Sequence, residues 1–320
     1  MNSTIDNLVI IGNGFDLHHK IRCNYSNYRY WLIKNNRELY NRLKRMYCPI
    51  DPKSWWSTFE ASLGQLNLKK YPHQQSQKNY WKVREDLVTQ YSDAEDFLDN
   101  YELSHSIEDW TFFIESVTRY EMEKIIEDLN ESFHDWVCNL NKPKMKYKVK
   151  NIEDSLDTIF LNFNYTKTLE DYYDIDEDSV THIHSSIDSP KLYFGHNRTT
   201  DELLKEYVDL KAYSNDPDKD DNGESNCVHS MINSVELIKK PTDEIILENS
   251  SFFNSLSNIQ KITTYGFSFS DIDLPYIDEI LSYTGKKVFV EYSYHSNKEK
   301  EYIRQVLSNK GIKQMKPFFF

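Results

Sequence analysis

Leu8-Val9-Ile10-Ile11-Gly12-Asn13-Gly14-Phe15-Asp16-Leu17 is the stretch on which the fold reading turns. Its first four residues are apolar and mostly β-branched, the pattern of a strand covered on both faces, as in a parallel sheet. The Gly-x-Gly that follows suits a tight turn into a helix whose free N–H groups can receive a phosphate. The third glycine of the dinucleotide fingerprint would fall at Leu17, so the full pattern is absent. A bare strand-to-helix turn accounts for these residues equally well.

Outward from this turn, short apolar runs predict further strands at 157–163, 180–184, 191–195 and 261–266, with the final strand at 287–292. Between them, three- and four-residue apolar spacing predicts amphipathic helices, among them 80–88, 109–117, 122–129, 242–257 and 297–308. The polar stretch 199–226 reads as a loop with helical portions. Strands separated by helices imply an α/β fold with a Rossmann-like parallel sheet. Residues 1–26 plus 150–320 are expected to form the nucleotide-binding domain, and 27–149 a large helical insertion subdomain.

Composition narrows the partners. Aromatics make up 14% of the 320 residues despite a mean hydropathy of −0.72, which fits a folded chain with a wet surface. Acids outnumber bases, 51 to 38, for a net charge of −13. That global field repels nucleic acid and anionic lipid, so neither is an expected partner, while a small anion held by backbone N–H groups remains compatible. Cys23, Cys48, Cys138 and Cys227 form no CxxC pair, which predicts free thiols and no zinc knuckle. No window approaches 18 apolar residues and the first residues lack a signal-peptide pattern, so the expectation is a cytoplasmic protein without a membrane span.

Three more clusters fall at predicted strand ends, where open parallel sheets collect ligands. In Asn162-Phe163-Asn164-Tyr165-Thr166, the Asn164 amide can orient a water or a ribose hydroxyl, or merely cap a helix. In His182-Ile183-His184-Ser185, a strand would turn both imidazoles to one face, for a metal or for acid–base work. A lone histidine there is more often structural, but Gly195-His196-Asn197 follows another predicted strand. In Tyr265-Gly266-Phe267-Ser268-Phe269-Ser270-Asp271-Ile272-Asp273, either acid can hold a ribose or a metal, and Ser270 or Asp271 can be a plain helix cap.

The opening stretch, with Tyr25-Ser26-Asn27-Tyr28, Trp56-Ser57-Thr58-Phe59-Glu60, Phe163-Asn164-Tyr165-Thr166, Ile183-His184 and the Gly266–Asp273 segment, resembles the AbiH family of phage abortive-infection proteins. AbiH proteins are similar, more distantly, to sirtuin-like NAD-consuming defence domains. That likeness implies that Gly12, Asn13, Gly14, Phe15 and Asp16 hold a dinucleotide and that Gly266, Ser268 and Asp271 touch a ribose. It also implies that Asn164 and His184 carry catalysis. The implied activity is hydrolysis of NAD at the nicotinamide–ribose bond, with NAD as substrate and no cofactor or metal required. The alternatives are a sensor that binds NAD or ADP-ribose without turnover and a metal-dependent hydrolase or nuclease using His182, His184, Asp271 and Asp273. The expected partners are NAD or a related nucleotide, and a second copy or another defence protein. Two positions depart from the pattern: Ser185 and Lys20 stand where glycine is usual.

Overall fold

The computed structural model describes residues 5–47, 54–104, 110–144, 147–149, 152–153, 155–212 and 223–320. Six strands form one sheet: β1 (Asn7–Ile11), β2 (Thr158–Asn162), β3 (Val180–His182), β4 (Lys261–Tyr265), β5 (Phe289–Tyr294) and β6 (Met315–Phe319). Their order is β3-β2-β1-β4-β5-β6, and every pairing is parallel. Ile11 of the central strand stands level with Asn162 of β2 and Tyr265 of β4. The chain's strand ends therefore meet at one edge, around the place where the strand order reverses.

The apolar run of β1 behaves as a two-sided strand must, because successive side chains point to opposite faces. Leu8 and Ile10 enter one core with Leu161, Ile262, Val290, Tyr276 and Ile303. Val9 and Ile11 face the other with Phe15, Phe160, Leu169, Tyr173 and Tyr265. The first core is closed by helices Thr242–Glu248, Ser250–Ser255, Leu274–Thr284 and Asn297–Asn309, which contribute Ile245, Phe253, Ile277 and Leu307.

The chain divides into two compact units, one of residues 1–31, 130–194 and 240–320, the other of 32–129 and 195–239. The first holds the sheet. The second is helical, and its core is strongly aromatic: Trp56 is buried and stacks on Phe59 with centroids 5.4 Å apart, and Trp55 meets both edge-on. In the same unit the Tyr71 hydroxyl donates to buried Glu121, and Arg42 pairs with Asp128.

Several expectations change in detail. Residues 191–195 form no strand; Ser189 and Pro190 precede them, and the Tyr193 N–H donates instead to the His184 carbonyl at 3.1 Å. β3 ends at His182, so His184 sits in the turn beyond it. The helical periodicity of 109–117 and 122–129 belongs to one helix, Trp110–Cys138. That of 242–257 is broken at Asn249 into two helices. β5 is not last: β6 follows it as an edge strand, where Pro317 needs no N–H partner on its open side. Of the stretch 199–226, Thr200–Ala212 is helical and Gly223 precedes the helix Glu224–Val235, while 213–222 lie outside the described residues.

Candidate functional site

Three glycines lock the ends of β1 and β4 together. The Gly12 N–H donates to the Tyr265 carbonyl at 3.0 Å, and the Gly14 N–H to the Gly266 carbonyl at 2.9 Å. A methyl group on Gly12 would stand 2.5 Å from Gly266 O and from Phe267 Cα; one on Gly14 would stand 2.7 Å from Gly266 Cα. Gly266 has φ +61, and a Cβ there would meet Phe15 N at 2.2 Å. The Gly-x-Gly turn thus first serves backbone-on-backbone packing, and two of its N–H groups already have acceptors. The exposed Asn13 lies between them, its Oδ1 receiving the Cys23 thiol at 2.7 Å.

Asn164 joins this junction from β2. Its Nδ2 donates to the Gly12 carbonyl at 3.1 Å, and its N–H donates to Asn162 Oδ1 at 2.9 Å. The side-chain oxygen of Asn164 takes no hydrogen bond from the described residues. Asp16 is tied to the same loop, accepting from Thr166 Oγ1 at 2.6 Å and Thr168 Oγ1 at 3.0 Å. Burial outweighs those two hydrogen bonds and pushes the Asp16 carboxyl up to about 6. Phe15 is wholly buried among Tyr173, Tyr265, His19 and Phe320, a core residue by position.

The two histidines part company. His182 turns Nδ1 to the Asn164 carbonyl at 3.1 Å and Nε2 to Glu170 at 2.6 Å, so it braces the Asn164 loop. His184 is 4% exposed, edge-on to Phe163 with centroids 5.2 Å apart and 5.5 Å from the Tyr276 ring. Its Nε2 faces Lys240 Nζ at 3.5 Å and Asp273 Oδ1 at 3.8 Å, and Lys240 lies 3.7 Å from the same oxygen. Ser270 Oγ donates to the other oxygen of Asp273 at 2.8 Å. Burial, then the Lys240 charge, hold the His184 imidazole well below its ordinary pKa, against a hydrogen bond to the Phe163 backbone that raises it. It is a neutral imidazole at pH 7, and a weaker base than the near-neutral one its sequence suggests.

Lys240 was not anticipated from the sequence. Only 1% of its side chain is exposed, an extreme for lysine. It stands in Lys239-Lys240-Pro241, which reads as a solvated loop; only the fold shows which lysine turns inward.

The remaining predicted residues lie outside this inner cluster. Ser268 is exposed. Asp271, also exposed, lines an open groove of about 700 Å³ with Leu274, Asp278, Tyr302 and Lys310. His196, in the helical unit, is buried with Nε2 against the Val235 carbonyl at 3.0 Å. Among the described residues, no three His, Cys, Asp or Glu side chains gather as a metal-ligand set. Cys23, Cys138 and Cys227 are free thiols, and Cys48 lies outside the described residues. No described helix is long and apolar enough to cross a membrane.

The departures Ser185 and Lys20 have one physical trait in common. Both adopt positive φ, +67 and +65, the left-handed conformation that glycine takes without strain.

A six-stranded parallel sheet in this order, with a glycine junction at the reversal between β1 and β4, defines a Rossmann-like α/β protein. The family model described as "Bacteriophage abortive infection AbiH" matches residues 8–294, and the chain belongs to that family. Membership assigns it to phage abortive infection. Comparison with curated proteins and with solved structures finds no match.

Proposed function

We propose that this AbiH protein is a nucleotide-binding effector that hydrolyses NAD at the nicotinamide–ribose bond. The observation that carries the reading is Asn164. It is fixed through Gly12 at the strand-order reversal, where open α/β sheets bind ligands, and its Oδ1 takes no hydrogen bond from the described residues. An amide oxygen so held is suited to accept from a ribose hydroxyl or an attacking water. In the reaction the C1′–N bond breaks and its electron pair leaves with neutral nicotinamide. Water adds at C1′, and its proton passes to His184 Nε2, which is unprotonated at pH 7. Positioning supplies most of the acceleration, and the proton acceptor about 10²–10⁴-fold.

The burial of His184 beneath Lys240 favours a second reading, a sensor that binds the nucleotide intact. Incubation of purified protein with NAD, ATP and short nucleic acids, with and without divalent ions, followed by mass spectrometry, separates the two. Hydrolysis predicts nicotinamide and ADP-ribose, lost in Asn164→Ala and slowed at least 100-fold in His184→Ala. Equal NAD consumption by wild type and His184→Ala rejects the assigned role. Thermal stabilisation by NAD recovered unchanged supports the sensor.

A further inference from the structure

The chain is acidic overall, yet two long segments carry no acid at all. No Asp or Glu stands between Asp16 and Glu38, nor between Asp135 and Glu153. In the second segment every other residue from Lys142 to Lys150 is lysine. The fold of the sheet unit joins the two. The Arg22 N–H donates to Asn141 Oδ1 at 2.9 Å, Asn141 Nδ2 donates to the Lys20 carbonyl at 2.9 Å, and the Lys144 N–H donates to the His19 carbonyl at 3.0 Å. Lys20, Arg22, Lys142 and Lys144 are thereby brought together, all exposed, and exposed Lys148 follows on the same segment with its Nζ 4.9 Å from the Tyr173 ring centre. Among the described residues, none of the five has a carboxylate within 4.0 Å, whereas lysines elsewhere, such as Lys167, Lys310 and Lys316, are ion-paired. Aromatic rings stand among the cations. Tyr147 lies between Lys144 and Lys148, with Lys20 Nζ 4.9 Å from its ring centre and the His18 ring edge-on at 6.1 Å.

We propose that this face binds single-stranded nucleic acid, the lysines and Arg22 meeting phosphates and the Tyr147 ring, braced by His18, receiving a base. Unpaired cations interleaved with rings are the elements of a sequence-tolerant single-strand site. The net charge of −13 does not forbid it, because at physiological salt a charge is felt over only about 8 Å, so contact is governed by the local patch. The rings favour a strand with accessible bases over a lipid surface, which offers charge but nothing to stack. The inference stands apart from NAD chemistry and from the Asn164 site.

The test is fluorescence anisotropy of the intact protein with labelled oligothymidylate and oligouridylate, titrated with salt. If four of the cations meet phosphates, log K falls with log salt at a slope of about −3, roughly −0.7 per contact. A Lys142→Gln, Lys144→Gln, Lys148→Gln variant should flatten that slope to about −1 and weaken binding at least tenfold in 0.1 M salt. These lysines are exposed and pair with no acid among the described residues, so the variant should keep the wild-type melting temperature. Tyr147→Ala should lose about tenfold, and Tyr147→Phe little, since a ring remains to stack. An unchanged slope in the triple variant, or no binding of either oligonucleotide at low salt, overturns the proposal. So does equal or tighter binding to duplex, or capture by phosphatidylserine vesicles without capture by oligonucleotides.

Discussion

The glycine junction makes a quantitative claim that substitution can break. Gly266→Ala asks a residue with a Cβ to hold φ +61, a strain of about 1–2 kcal/mol. It also drives that Cβ to 2.2 Å from Phe15 N and 2.4 Å from Gly14 C, backbone atoms with no rotamer to yield. Overpacking of this kind costs about 1–3 kcal/mol. A more restricted unfolded chain returns under about 1 kcal/mol, leaving a net loss of roughly 2–4 kcal/mol out of a stability on the order of 10. Two other glycines separate the causes. Gly285, at φ +73 and ψ 170, holds a backbone shape nearly exclusive to glycine but has open space around it, so Gly285→Ala should show strain without a clash, about 1–3 kcal/mol. Gly12 has an ordinary φ of −115 yet would place a Cβ 2.5 Å from Gly266 O, so Gly12→Ala should show the clash alone. Thermal unfolding should place wild type highest and Gly266→Ala lowest, about 3–6 °C below it in a chain of 320 residues, with Gly285→Ala and Gly12→Ala between them. If Gly285→Ala proved as damaging as Gly266→Ala, strain rather than contact would hold the junction. If Gly12→Ala melted with wild type, the close approach of the two turns would be refuted.

Two buried groups should act on opposite limbs of the stability–pH curve, read as urea midpoints. The Asp16 carboxyl, pushed up to about 6, lets the folded state hold a proton that the unfolded chain releases near pH 4. Its contribution is therefore present at low pH and falls, by about 3 kcal/mol, as pH rises through 4 to 6; Asp16→Asn should remove that fall, and an unchanged curve would contradict it. His184 has its pKa depressed, so the unfolded chain binds the proton first and stability drops as pH falls below about 6.5. His184→Gln should flatten this acid limb while leaving the Asp16 limb in place. Finally, Ser185→Gly and Lys20→Gly relieve left-handed strain of about 1–2 kcal/mol each, less up to about 1 for the freer unfolded chain. Each should raise the melting temperature by about 1–3 °C, and a loss in either would show that the side chain contributes more than the conformation costs.

The sheet was largely legible because its information is local. Leu8–Ile11, 157–163 and 261–266 are short apolar runs ended by Gly or Asn, and each became a strand. Where local pattern and tertiary context disagreed, context won. Leu192 and Phe194 alternate with polar or half-buried neighbours as strand residues do, yet none of the described strands pairs with them. Met315–Phe319 carries a proline that argues against a central strand, and only its place at the edge of the sheet makes it admissible. The break at Asn249 and the unbroken run through 110–138 depend on packing that periodicity alone does not report.

The candidate site was legible in its addresses and much less so in its contacts. Sequence brings Gly12, Asn164 and Gly266 to strand ends, and the hydrogen bond from Asn164 to Gly12 joins two of them directly. It treats His182 and His184 as a pair because it carries β3 two residues too far, and that error decides the chemistry. The strand stops at His182, which stays on the Asn164 loop with Glu170, while His184, just before the left-handed turn at Ser185, goes inward to Lys240 and Asp273. A charge as deep as Lys240 requires a nearby carboxylate, and Asp273 supplies it from the segment that sequence had marked for a ribose. His184 Nε2 faces Lys240 Nζ at 3.5 Å, where a neutral imidazole can only accept from the ammonium. Any proton His184 takes from a substrate must therefore displace one that Lys240 already offers. That competition ties His184 basicity to where Lys240 sits, and Lys240→Met should raise the His184 pKa by removing the neighbouring charge, a shift that ring-proton NMR titration would read directly.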